Sequence, residues 1–186
     1  MSAPAPGRWV FVCGPSGAGK DSVIGWARTA LAGERGIVFA RRAVTRAAHP
    51  ASDHEELSPA AFAQWLRAGR FAWHWRAHGF DYAVDAYYRE DVARGRTVVV
   101  NGSREHVLGL PAGSVEVVLV TAPPEQLAQR LQARGREGGD AVRQRIARNG
   151  DLPDMPGAHV IVNASTVAEA GAQLRDHLLA TSHRSG

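Results

Sequence analysis

Lys20 is the only lysine in the chain; every other one of its 22 basic residues is arginine. Glycines stand one and six positions before it, so Gly14-Pro15-Ser16-Gly17-Ala18-Gly19-Lys20 has the spacing G-x-x-x-x-G-K. Glycines at those places let successive backbone N–H groups curl round a phosphate, and a helix opening at the lysine turns its positive end toward it. The ammonium reaches the outer phosphates of a nucleoside triphosphate as a compact charge, which a planar guanidinium imitates poorly. The residue after such a lysine is usually Ser or Thr, whose hydroxyl holds Mg²⁺; here it is Asp21, with Ser22 next. Asp21 can ligate Mg²⁺ directly, because a carboxylate suits that hard cation, or it can hold a metal-bound water while Ser22 acts. An acid favoured only by the dipole of a helix N-terminus is the third reading.

A second constellation lies toward the C-terminus. Arg130, Arg134, Arg136, Arg143, Arg145 and Arg148 surround a run containing Gly135, Gly138 and Gly139. Arg130 and Arg134 are four apart and share one helix face, so they can reach one ligand together. Phosphoryl transfer needs such groups, because charge spreads over the equatorial oxygens of the moving group. The glycines would hinge a lid, about 134–145, that closes over the site and excludes water. The plainer reading is a pair of solvated basic helices.

Strands and helices must alternate to position these groups. Apolar runs at 9–13, 37–39, 97–100, 115–121 and 159–162 read as buried strands. Helices are expected at 20–31, 59–67 with Ser58 as N-cap, 86–93, 124–133, 141–149 and 167–179. Residues 71–84 read as a hairpin turning at His78-Gly79. Such alternation gives an α/β fold with a mainly parallel sheet in a single domain spanning 1–186. The 186 residues, with 45% hydrophobic and 22% charged, suit one soluble globular domain. No stretch approaches the ~20 apolar residues of a membrane helix. Cys13 is the only cysteine, so a cytoplasmic location and a buried, inert thiol are expected. The net charge of +4 is spread along the chain, without the clusters of a nucleic-acid tail, and the eight histidines show no zinc spacing.

With these parts assembled, the sequence resembles the guanylate-kinase-like nucleotide kinases, and among them the ribose 1,5-bisphosphate phosphokinases. The resemblance runs from Trp9 to about Leu179. It is carried by Gly14 through Ser22 with its Asp21, Val44-Thr45-Arg46, Glu56-Leu57-Ser58, and Trp75 with Ala77-His78-Gly79 and Tyr82. Val100-Asn101-Gly102-Ser103-Arg104 and Arg134-Gly135-Arg136-Glu137 complete it. It implies a P-loop nucleotide-kinase fold with a five-stranded sheet, ATP and Mg²⁺ at Gly14 to Ser22, and a small phosphorylated sugar as partner. It implies, further, that Arg134, Arg136 and Arg145 stabilise the transferring group, and that Arg130 stacks on adenine or clamps a phosphate. An acceptor region, about 41–84, would offer Arg41 or Arg42, Thr45, Arg46, His78 and Tyr82, joined by Asn101 and Arg104. His74 shares the aromatic hairpin, which can equally serve only to pack on its neighbours. Asn163 would edge the adenine pocket or simply end a turn.

The resemblance has two departures. A guanylate kinase acceptor loop reads Thr-Thr-Arg-x-x-Arg-x-Gly-Glu, whose Glu holds guanine. Thr45 and Arg46 fit it, but His49, Ala51 and Ser52 stand where Arg, Gly and Glu belong. A base edge that lost its acceptor would forfeit roughly 1–3 kcal/mol per bond. Asn101, likewise, replaces an acidic residue at the end of its strand. Three rival readings remain: a nucleoside-monophosphate kinase, an inactive guanylate-kinase-like module that binds protein partners, and a nucleic-acid binder. Inactive modules tend to lose the Lys and lid arginines that this chain keeps.

Overall fold

The computed structural model describes residues 7–48, 53–133 and 155–182. Five strands form one parallel sheet: β1 (Arg8–Cys13), β2 (Ile37–Phe39), β7 (Thr97–Asn101), β8 (Glu116–Thr121) and β9 (His159–Val162), in the order β2-β7-β1-β8-β9. Side chains alternate across a strand, so β1 sends Val10 and Val12 to one face and Phe11 and Cys13 to the other. The first face packs on α1 (Lys20–Ala30) and on α6 (Val167–Ser182). There Val23, Ile24, Ala27, Ala170, Leu174 and Leu178 meet Val99, Val118, Val120 and Ile161. Each fully buried valine or leucine contributes about 1.5–3 kcal/mol by leaving water. At Gly171 an added Cβ would lie 2.5 Å from the Trp26 ring, so the two helices touch there.

The second face carries the region expected to bind the acceptor. A four-stranded sheet, in the order β4-β3-β6-β5, comprises β3 (Arg42–Val44), β4 (His54–Glu56), β5 (Phe71–Ala77) and β6 (Phe80–Asp85). Trp75, Tyr82, Val84 and Val44 pack from it onto Phe11, Cys13, Val98 and Val100. Its outer face receives α2 (Pro59–Arg67), with Phe62 among Ala43, Leu57, Phe71 and Ala83. The Ser58 hydroxyl caps α2 by accepting from Ala61 N–H at 3.2 Å, as its sequence position predicts. The hairpin turns at the expected residues: His78 has φ +53° and Gly79 φ +79°, the left-handed pair of a type I′ turn.

Three elements were not expected. β3 and β4 have three residues each, too few to show a period, and β4 is the polar triplet His54-Glu55-Glu56. The third is α4 (Arg104–Leu108), five residues long. The helix expected at 86–93 begins later, as α3 (Tyr88–Ala93), because the Asp85 carboxylate accepts from Tyr87 N–H at 3.0 Å and holds a turn first. The remaining helix, α5 (Pro124–Ala133), lies as expected. The Gly-rich loop and the helix expected at 141–149 lie outside the described residues.

Candidate active site

β1 is flanked by β7 and β8, and the loop from its end to α1 opens at the C-terminal edge of the sheet, where α/β sheets bind ligands. Gly14 has no room for a side chain, since an added Cβ would lie 2.1 Å from the Val120 carbonyl oxygen. Gly19, at φ +81°, is the residue from which α1 starts. The loop curls between them, with Ala18 N–H donating to the Pro15 carbonyl at 3.2 Å. Lys20 is the first residue of α1 and Asp21 lies in its first turn. The Lys20 ammonium, 3.9 Å from the Asp21 carboxylate, therefore sits at the positive end of a helix aimed at the loop.

Two residues brace this loop from outside. Asn163, buried just after β9, donates through Nδ2 to the Ala18 carbonyl at 2.8 Å. Its own backbone N–H reaches the Thr121 carbonyl at 2.7 Å, which fixes it to the end of β8. Arg130, on α5, donates to the Gly17 carbonyl at 3.5 Å, the Asn163 carbonyl at 3.3 Å and the Gln126 side chain at 3.0 Å. In this structure the Arg130 guanidinium is thus engaged by carbonyls that shape the loop, and the amide of Asn163 lies under the loop itself.

The residues expected to bind the acceptor lie on or beside β3, β6, β7 and α4. The Asp21 carboxylate accepts from Asn101 Nδ2 at 2.5 Å, which joins α1 to the end of β7. Arg42 lies with its guanidinium 5.6 Å from the centroid of Tyr82. Burial draws Arg42 below its ordinary arginine range; the Asp21 carboxylate is the largest charge opposing that, and Arg46 adds to the lowering. Arg46 lies 5.9 Å from the Phe80 ring. Arg104 is lowered by burial as well, with Cys13 beside it. The Nε of Arg46, the Nη1 of Arg104 and the Oδ1 of Asn101 are buried with no hydrogen-bond partner among the described residues. Buried donors without partners are costly, and a polyanionic ligand would satisfy those of the two arginines.

The predicted acceptor residues do not all face one way. Arg41 donates its guanidinium to the His54 carbonyl at 3.2 Å and its backbone N–H to Tyr88 Oη at 2.9 Å, so of the neighbouring arginines it is Arg42 that lies over Tyr82 and within the field of Asp21. The Thr45 hydroxyl oxygen accepts from Asp81 N–H at 2.9 Å and registers β3 on the hairpin. Tyr82 is buried and His78 is at the hairpin turn. Ser22 borders a groove with Gly25, Trp26, Thr29, Ala30 and Val167, one residue beyond Asp21. Arg134, Arg136 and Arg145, with the acceptor-loop residues His49, Ala51 and Ser52, lie outside the described residues.

Sequence reasoning missed three supports. His54, buried in β4, places Nε2 3.1 Å from the Arg46 carbonyl and so holds the acceptor loop. Glu56 accepts from Ala48 N–H at 2.9 Å on the same loop. His106, on α4, stacks on Trp75. A histidine between two acids in a polar triplet offers no periodic signal that it is buried. Cys13 matches its expectation: burial pushes the thiol up to about 12, although Lys20 and Arg104 pull it down.

No protein-family model matches the chain. Full-length similarity is plain among curated proteins. The chain is 46% identical over 178 residues to the ribose 1,5-bisphosphate phosphokinase PhnN of Methylobacterium radiotolerans, covering 94% of this chain and 99% of that protein. It is 45% identical over 177 residues to the protein of the same name in Rhodopseudomonas palustris, covering 93% and 87%. Among solved structures it is similar to guanylate kinase from Anaplasma phagocytophilum, with a TM-score of 0.68 and 17% identity over 96% of this chain and 88% of that one. At that identity the likeness establishes the fold, a P-loop kinase sheet with flanking helices.

Proposed function

The chain belongs to the ribose 1,5-bisphosphate phosphokinases, and on that premise we propose a reaction and a role for each residue of the site. The enzyme transfers the γ-phosphoryl group of ATP to ribose 1,5-bisphosphate, giving 5-phosphoribosyl 1-diphosphate and ADP. An oxygen of the acceptor's 1-phosphate attacks the γ-phosphorus, and the bond from that phosphorus to the β-phosphate oxygen breaks. The attacking oxygen is already anionic at neutral pH, so no side chain has to remove a proton.

Backbone N–H groups from Gly14 to Gly19 and the Lys20 ammonium hold the donor phosphates. Asn163 and Arg130 keep the loop in shape. Arg42, Arg46 and Arg104 bind the acceptor's phosphates, and Arg134, Arg136 and Arg145 stabilise the group in flight. The observation that carries the acceptor assignment is the pair of buried guanidinium nitrogens, Nε of Arg46 and Nη1 of Arg104, that have no hydrogen-bond partner among the described residues. Mg²⁺ fits the same reading: the Asp21 carboxylate is 73% exposed, oxygen-donating and steadied by Asn101, so it would hold the ion with Ser22 next to it. When bound, the ion would neutralise charge on the donor phosphates.

Guanylate kinase activity is not favoured, because the likeness to that enzyme is one of fold, while full-length identity runs to the phosphokinases. An inactive protein-binding module is not favoured either, since Lys20 and its loop are intact. We read the whole of 1–186 as one kinase unit acting in the cytoplasm on intermediates of phosphonate metabolism, with 41–84 as acceptor region and 134–145 as lid. Its single buried cysteine supports that location, and no helix among the described residues is long and apolar enough to cross a membrane. The test is phosphorus NMR of the enzyme with ATP, Mg²⁺ and ribose 1,5-bisphosphate. The 1-phosphate resonance should convert to a coupled diphosphate pair as ADP appears; ADP formed without that pair would refute the assignment.

A further inference from the structure

A continuous stack of planar groups joins the acceptor hairpin to α4. It starts at the Arg42 guanidinium, 5.6 Å from the centroid of Tyr82. Tyr82 stacks on Trp75 at 5.6 Å with 7° between the planes. Trp75 stacks in turn on His106 at 5.0 Å and 21°. Phe11 of β1 supports the stack from below, 6.4 Å from Trp75 and 5.8 Å from His106, and Trp73 meets His106 edge-on at 6.1 Å. The stack thus starts at one arginine of the acceptor site and ends on the short helix whose first residue, Arg104, is another.

We infer that Trp75 and His106 are specificity-determining positioning residues: their stack sets the separation between the Arg42 and Arg104 guanidinium groups, so that the enzyme selects an acceptor carrying two phosphates at one spacing. The inference rests on the proposed acceptor reading. Arginine side chains are long, and two of them hold a fixed spacing only if their anchors are fixed. Strand β3 anchors Arg42 at one end and Tyr82 covers it. At the other end α4 has only five residues, too few to hold its own place, and two side chains seat it: Val107 in the core and His106 against Trp73 and Trp75. Aromatic pairs with this geometry add directional preference to burial, which a plain apolar contact lacks. Burial, and His74 beside it, keep the His106 ring below its ordinary histidine range, so it extends the stack as a neutral ring. A monophosphate engages one arginine, and its binding does not depend on how far away the second one lies.

The experiment compares His106→Ala and His106→Phe with the parent enzyme. It measures KM for ATP, KM for ribose 1,5-bisphosphate and the inhibition constant of ribose 5-phosphate. His106→Ala is expected to raise the bisphosphate KM about tenfold or more and leave the ATP KM and the ribose 5-phosphate constant within about twofold. His106→Phe, which restores a flat ring without a titratable nitrogen, is expected to recover most of that loss. Trp75→Leu should repeat the His106→Ala pattern, and thermal melts establish that each variant is folded. A His106→Ala enzyme that loses affinity equally for bisphosphate and monophosphate overturns the inference, as does a His106→Phe enzyme no better than the alanine variant. If the parent enzyme transfers nothing to ribose 1,5-bisphosphate, the acceptor reading itself falls, and this inference with it.

Discussion

The side-chain amide of Asn163 donates to the Ala18 carbonyl at 2.8 Å, so the residue that follows the last strand forms part of the floor of the phosphate loop. An added Cβ at Gly19 would lie 2.6 Å from the same amide nitrogen, which shows how closely the two segments fit. Asn163→Ala leaves the Ala18 carbonyl buried without that donor, at a cost of roughly 1–3 kcal/mol. Urea unfolding should register that loss, and the KM for ATP should rise while the KM for the acceptor stays near the parent value. Equal changes in both constants would show that Asn163 does not act through the donor loop.

Lys20 serves chemistry more than folding. Lys20→Ala should fold normally and lose on the order of 10²–10³ in kcat or more, as expected for removal of a preorganised charge on the transferring group. Lys20→Arg should recover little of this, because a planar fork does not fill the place of a compact ammonium. Steady-state kinetics with matched thermal melts would check both. Turnover within tenfold of the parent in either variant would count against the loop as donor site.

Stability should fall on the acid side for a reason remote from the active site. At the opposite edge of the sheet, Glu116 accepts from His177 Nε2 at 2.5 Å and pairs with Arg8 at 3.0 Å, while His159 stacks on His177. The His177 hydrogen bond, and then Arg8, hold the Glu116 carboxyl below its ordinary 4.5 despite burial. His159 is held below 6.5, by burial first and then by His177, with Glu116 opposing. A lowered histidine favours the neutral ring, so its contribution is full above 6.5 and is lost as pH falls below that value. A lowered carboxyl contributes fully above 4.5 and is lost as pH falls through its folded value. Urea midpoints should therefore be flat from pH 8 to 7, decline below 6.5, and decline again below 4.5. His159→Gln should shrink the first decline, leaving the part that the lowered His106 contributes, and should leave the second decline in place; an unchanged profile in that variant would assign the decline to other groups.

Cys13 should be inert in the native protein. Its thiol is buried and pushed up to about 12, so almost no thiolate forms at pH 8. A thiol-disulfide reagent should label it only as fast as the protein unfolds; labelling at the rate of a free thiol would contradict this.

The donor site was legible because it is local. Lys20, its two glycines and the strand and helix on either side lie within one short stretch, although Asn163 and Arg130, which brace the loop, come from far along the chain. The residues proposed for the acceptor could be singled out one by one, but not their arrangement. Arg41 and Arg42 look alike in sequence, yet Arg42 lies over Tyr82 while Arg41 is held by the His54 carbonyl. His54, His106 and the brace of Asn163 stayed hidden because their partners are distant in sequence, and a single polar residue carries no period. Arg134, Arg136 and Arg145 fall outside the described residues and are still known only from sequence.

Arg42, Arg46 and Arg104 offer guanidinium groups for two dianions, and Ser52 stands where a guanylate kinase reads guanine with Glu. Charge-assisted pairs of this kind contribute roughly 1.5–3 kcal/mol each. The decisive measurement is kcat/KM for ribose 1,5-bisphosphate, GMP and ribose 5-phosphate at saturating ATP, in the parent and in Arg46→Ala. Ribose 1,5-bisphosphate should lead the other two by at least about a hundredfold, the factor that two such pairs readily supply, and Arg46→Ala should raise its KM far more than that of ATP. If GMP proves the better acceptor, the chain is a guanylate kinase and the reading of its acceptor site is wrong.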